Sequence, residues 1–196
     1  KRFDVGDFDE AAEFIVEINK VPGQSVYFRP ALIKANAPKF VTDDDFLAAP
    51  GTWADLDDED AVRNVKNIVS ICRPTTVVIT GRTPHTRVQF YWKHIEEISD
   101  GQTVREINTA IAAKLQGDTS VINPTTLMRV GGTIAWAWKE GRQVEQTSVQ
   151  TQSRHSPHRQ PRQRKPPPST PVASSSVMSS NKSKPATSGT TMSSAS

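Results

Sequence analysis

Two acids one residue apart, Asp55 and Asp57, end the apolar approach GTWADL within the stretch GTWADLDDEDA (51–61). In an extended strand residues i and i+2 share a face, with Cα atoms roughly 7 Å apart. The two carboxylates would project together while Ala54 and Leu56 meet the opposite layer. Side-by-side carboxylates repel unless something cationic sits between them. The other reading is punctuation before a helix, which explains Asp58, Glu59 and Asp60 well, because acids in a first helical turn complement the macrodipole.

A second group lies in TGRTPHTRVQFYW (80–92), where His85 sits in a connection between two strand-like runs with Arg82 and Arg87 on either side. Arginine offers a planar fork of donors and histidine a single N–H, so the loop could grip a phosphate. A hairpin turn with solvated arginines is the alternative. A third group is GDTSVINPTTLMRVGGTIAWAWK (117–139). Asp118 would add a third carboxylate to a site for hard cations, which take several oxygen ligands, or it is a turn residue after Gly117. Arg129 precedes Gly131-Gly132, where backbone can approach a ligand closely.

These groups need a scaffold, and the chain supplies one. FDEAAEFIVEIN (8–19) predicts an amphipathic helix with Phe8, Ala11 or Ala12, Ile15, and Val16 or Ile18 on one face. Val26 to Arg29 and Gly51 to Leu56 read as strands. Glu59 to Cys72 repeats Val62, Val65, Ile68 or Val69, and Cys72 at helical spacing, stopped by Arg73-Pro74. Thr76 to Thr80 is a buried strand, and Arg87 to Lys93 its antiparallel partner. Val104 to Leu115 is a further helix, ended by Gln116-Gly117. Leu127 to Trp138 reads as loop, then strand. Helices mixed with hairpin-connected strands give an α+β sandwich.

The chain is 196 residues long with a formal charge of +3. Residues 147–196 hold seven Lys or Arg and no acid, which leaves residues 1–146 at −4. The basic character therefore belongs to a Ser/Thr/Pro-rich tail that lacks the apolar surface to offset ordering, and the tail is expected to be disordered. Its run Arg154 to Lys165 could hold phosphates without sequence preference, or serve as a solvated linker. The single cysteine, Cys72, excludes an internal disulfide and a cysteine-rich zinc site; it reads as a small buried residue. No apolar run reaches membrane-span or signal length, so a cytoplasmic protein without membrane contact is expected.

The order of these groups resembles the catalytic core of the archaeo-eukaryotic primase superfamily, most of all the RepB-like and primase–polymerase branch of plasmids, phages and integrated elements. The resemblance runs from about Gln24 to Glu145, and rests chiefly on TGRTPHTRVQFYW and LMRVGGTIAW. It implies an RRM-like antiparallel sheet packed with helices beside a smaller α/β unit. It also implies a nucleotidyltransferase, a DNA primase that makes primers on a single-stranded DNA template from nucleoside triphosphates. Carried over by position, Asp55, Asp57 and Asp118 would bind Mg²⁺ or Mn²⁺, and His85 the triphosphate. Arg82, Arg87, Arg129 and Lys139 are the further phosphate candidates. Members of this family often continue into a helicase or primase C-terminal domain, so here the chain is a piece of a longer one or a replicative helicase acts in trans.

The chemistry is consistent with that assignment, since two cations about 4 Å apart stabilise both oxygens of an in-line displacement. Two other classes compete. A non-catalytic single-strand binder would use Tyr91, Trp92 or Trp136 for stacking. A rolling-circle nicking enzyme needs a nucleophilic tyrosine and normally a histidine pair. The tyrosines are Tyr27 and Tyr91, and no H-x-H occurs.

Overall fold

A computed structural model describes residues 1–69 and 72–151, and the elements are mixed α and β. Helices are α1 (Phe8–Asn19), α2 (Glu59–Val69) and α3 (Gly101–Leu115). Strands are β1 (Tyr27–Phe28), β2 (Leu32–Ile33), β3 (Phe46–Leu56), β4 (Thr76–Gly81), β5 (Arg87–Ile98), β6 (Met128–Arg129), β7 (Ile134–Ala135), β8 (Glu145–Gln146) and β9 (Ser148–Thr151). The main sheet is antiparallel in the order β2-β3-β5-β4-β9; β1 with β6 and β7 with β8 make two short ribbons.

Alternation along β3 divides its side chains as the sequence predicts. Ala54 and Leu56 enter an apolar cluster with Ala61 of α2, Leu115 of α3, and Val88 and Phe90 of β5. Leu56 is fully buried, and truncating such a side chain to alanine costs about 2–5 kcal/mol. A second cluster joins Trp53 and Ala49 of β3 to Ala31, Phe46, Val104 and Met128. Asp55 and Asp57 are left on the side away from α2.

Among the described residues, no strand pairs with the outer edge of β3 past Ala49, and unpaired backbone groups there would be costly to bury. Helix α3 and the chain that follows it fill the place. The buried Asn108 accepts the Trp53 N–H at 3.1 Å, and the Asp118 N–H donates to the Asp55 carbonyl at 2.8 Å. Gly117 permits this approach, since a Cβ there would lie 2.9 Å from the Asp55 oxygen. The left-handed residue that ends α3 is Gln116, with φ at 54°. At the other end, Asp100 accepts the Gln102 and Thr103 N–H groups. The bond from the Thr103 hydroxyl first, and then those from the two N–H groups, hold its carboxyl below the ordinary range.

Four expectations need correction. Phe8 and Val16 are 75% and 53% exposed rather than inward-facing. The covered stripe of α1 runs through Ala11, Phe14, Ile15 and Ile18 to the buried Asn19, because Phe14 packs on Phe3 with ring centroids 5.7 Å apart. Cys72 is exposed, in a bend ahead of Pro74 and beyond the end of α2. Strand β3 starts five residues before Gly51, and β5 ends five residues after Lys93. The sheet also extends past residue 146, because β9 pairs with β4 through backbone groups that composition does not report. The basic run from Arg154 to Lys165 lies outside the described residues. Among the described residues, no helix is long and apolar enough to cross a membrane.

Candidate active site

A cleft of about 200 Å³ opens on the sheet face that carries the two acids. Asp55 and Asp57 line it together with Thr80, Arg87 and Gln89 of the sheet region, Tyr27 and Arg129 of the first ribbon, and Ala135, Trp136, Ala137, Lys139, Arg142 and Gln143. Four cationic side chains, Arg87, Arg129, Lys139 and Arg142, thus face two carboxylates in one cavity. An excess of fixed positive charge in a recessed site concentrates anions.

Asp55 is positioned by register. It stands directly opposite Gln89 of β5. The Gln89 side-chain amide donates to Asp55 Oδ2 at 3.2 Å and accepts from the Tyr91 hydroxyl at 3.0 Å. The other oxygen, Oδ1, is buried without a hydrogen-bond partner among the described residues. Burial first, and then the neighbouring charge of Asp57, push the Asp55 carboxyl up to about 7; Asp118 adds to the rise, while Gln89 and Arg129 oppose it. Burial and the Asp55 charge also raise the Tyr91 phenol, which stays protonated as a donor.

Asp57 has different company. Arg142 donates to its Oδ2 at 2.9 Å, and Lys139 Nζ lies 3.8 Å away. The His85 ring Nε2–H donates to the Asp57 carbonyl, which ties the 82–86 loop to the end of β3. Arg87 is buried, and its guanidinium donates to the Thr83 carbonyl at 2.5 Å and approaches Glu145 at 3.5 Å. Burial and the nearby Arg142 charge lower the Arg87 pKa. Glu145 also accepts the backbone N–H groups of Arg82 and Thr83 and the Thr83 hydroxyl. Burial works against its charged form, but these donors and Arg87 outweigh that and hold it below the ordinary range. Gly81 leaves room for the pair, since a Cβ there would overlap the Arg87 guanidinium.

Arg129 is fixed from one side. Its Nη2 donates to the Tyr27 hydroxyl at 2.8 Å and its guanidinium lies 4.8 Å over the Tyr27 ring, while Nη1 is buried without a partner among the described residues.

Of the residues singled out from sequence, Asp55, Asp57, Arg87, Arg129, Lys139 and Trp136 line the cleft. Asp118 is linked to Asp55 through its backbone, but its carboxylate accepts the Ser120 N–H and hydroxyl, each at 2.7 Å. Among the described residues, no group of three or more acids, histidines or cysteines is gathered closely enough to hold a metal ion. His85 braces the Asp57 backbone instead of lining the cleft, and Arg82 lines a separate outer cleft with Gly81, Glu145, Gln146 and Ser148. Sequence reasoning missed Arg142, Gln89 and Glu145. Gln89 had a signal, as a polar residue between Val88 and Phe90 at the position facing Asp55; Arg142, in the turn after Gly141, had none.

A solved structure similar to this chain is the AEP domain of the Cyanophage S-2L primase-polymerase, at 17% sequence identity and a TM-score of 0.49, covering 73% of this chain and 68% of that one. No family model and no curated protein matches the chain.

Proposed function

We propose that the cleft binds a nucleoside triphosphate with a divalent cation, and that the protein is a template-dependent nucleotidyltransferase of the DNA primase type acting on single-stranded DNA. The observation that carries this reading is the pairing of Asp55, whose Oδ1 has no donor among the described residues, with Asp57 in a cleft lined by four cationic side chains. A purely structural acid would have its buried oxygen satisfied. A simple anion site would contain no carboxylates.

The donor set fits Mg²⁺ or Mn²⁺. Such ions are commonly held by one or two carboxylates, with substrate phosphates and water completing the shell, so Asp55 and Asp57 suffice as the protein ligands. Asp118, beside them through the Asp55 carbonyl, remains a candidate third ligand. When bound, the cation would neutralise phosphate charge and make a coordinated hydroxyl easier to ionise. Arg87, Arg129, Lys139 and Arg142 would hold the triphosphate oxygens, and His85 would keep the Asp57 backbone in place. In the reaction the primer 3′-oxygen bonds to the α-phosphorus as the bridge to the β-phosphate breaks. The hydroxyl proton passes to solvent, and pyrophosphate leaves against the cationic wall.

Primer synthesis from labelled nucleotides on single-stranded templates, with Mg²⁺ or Mn²⁺, is the direct test. Template-dependent products that vanish with EDTA and in Asp55→Asn support the reading. Single-strand binding that persists in EDTA, with no synthesis by the parent protein, would assign the sheet to a non-catalytic binder.

A further inference from the structure

Among the described residues, a third side chain lining the cleft carries a buried polar atom without a partner. Besides Asp55 Oδ1 and Arg129 Nη1, the indole Nε1 of Trp136 is buried and unpaired among the described residues. Trp136 is half-buried and lines the cleft immediately after β7, which pairs with β8 at Ala135 and Glu145. An indole N–H can only donate, and a desolvated donor left unpaired is unfavourable. Arg129 Nη1 has the same deficit, on a guanidinium already held by Tyr27. Two side chains that line this cationic cleft therefore each carry a buried, unused donor, and the complement of such donors beside an excess of positive charge is an anionic ligand rich in acceptors.

We propose that Trp136 is a substrate-binding residue whose indole N–H donates to a phosphate oxygen of the bound triphosphate, alongside Arg129 Nη1. A sugar hydroxyl is a poorer match, since it brings no charge to a cleft lined by Arg87, Arg129, Lys139 and Arg142. The inference rests on reading the cleft as a triphosphate site and goes beyond it in assigning hydrogen bonding, rather than base stacking, to Trp136.

Inorganic triphosphate with Mg²⁺, titrated into the full chain, provides the probe. Trp136→Phe keeps an aromatic ring and removes the donor. Its affinity should fall about tenfold, the effect of one hydrogen bond to a charged acceptor. Its melting temperature should match or exceed that of the parent, because the deleted N–H satisfied nothing. A second readout needs no folded variant. The Trp136 indole ¹H–¹⁵N resonance, one of four such signals, should shift downfield in the parent at saturating triphosphate. Unchanged affinity of a folded Trp136→Phe, or an indole signal that stays in place while the parent binds, overturns this inference alone. No binding of triphosphate by the parent overturns it together with the reading it rests on.

Discussion

Arg142 reaches across 85 positions of sequence to donate to Asp57 at 2.9 Å. Among the described residues, the carboxylate of Asp55, two residues from Asp57, has no cation within ion-pair distance and takes one hydrogen bond, from the neutral Gln89. The two members of one acid pair are therefore held by different means. Asp57 is charge-compensated by Arg142 and Lys139, whereas Asp55 is held by burial and a neutral amide.

Substituting the two acids should separate these roles. Asp57→Asn gives up a half-buried ion pair and is expected to lower stability by about 0.5–1.5 kcal/mol. Asp55→Asn keeps an acceptor for Gln89 and removes the charge that burial and Asp57 oppose, so at pH 8 without metal it should melt at or above the parent. Thermal melts in EDTA check both directions.

The pH dependence follows from the same group. An aspartate titrates near 3.9 when unfolded, while the folded Asp55 carboxyl is pushed up to about 7. Between those values the folded state binds more protons than the unfolded one, so this group's contribution to stability falls as pH rises from about 4 to about 7 and is flat beyond. Denaturation midpoints measured from pH 4.5 to 8 should decline for the parent relative to Asp55→Asn. Parallel curves would mean that Asp55 is ionised without penalty.

Glu145→Ala removes the carboxylate that faces the buried Arg87 and holds the backbone of Arg82 and Thr83. Leaving a buried guanidinium with, among the described residues, only the Thr83 carbonyl as acceptor should destabilise the protein by about 2–4 kcal/mol. Urea unfolding gives the value; a loss below about 0.5 kcal/mol would show that the pair contributes little.

A chain ending at Thr151 should melt within about 2 °C of the full chain, whereas one ending at Thr147 loses β9. Strand β9 pairs with β4 from Ser148 to Thr151, and Val149 covers Gly131. Several backbone hydrogen bonds, each worth about 0.5–1.5 kcal/mol, go with it. Comparing the two truncations locates the end of the folded region.

The main elements were legible because their signals are local. Val62 and Val65 give α2 its period, TVVIT gives β4, and the alternation around Asp55 gives the face it shares with Asp57. What the sequence concealed depends on tertiary contact. Nothing in GRQ marks Arg142 as the partner of Asp57, and nothing in SVQT distinguishes an edge strand from a polar tail. Asp118 looked like either a ligand or a turn residue; its carboxylate bonds Ser120, while its N–H ties the loop to Asp55. The sheet alternation that exposes Asp55 to the cleft also selects Gln89 as its neighbour, so that contact could be worked out once the register was known.

Calorimetric titration of a nucleoside triphosphate into the full chain, with Mg²⁺ and then with EDTA, tests the central claim most directly. Binding should be tight enough to measure in Mg²⁺, weaken at least tenfold in EDTA, and weaken by a similar factor in Asp55→Asn with Mg²⁺ present. Equal affinity in Mg²⁺ and EDTA, unaltered in Asp55→Asn, would contradict a site built from these carboxylates for a cation and a triphosphate together.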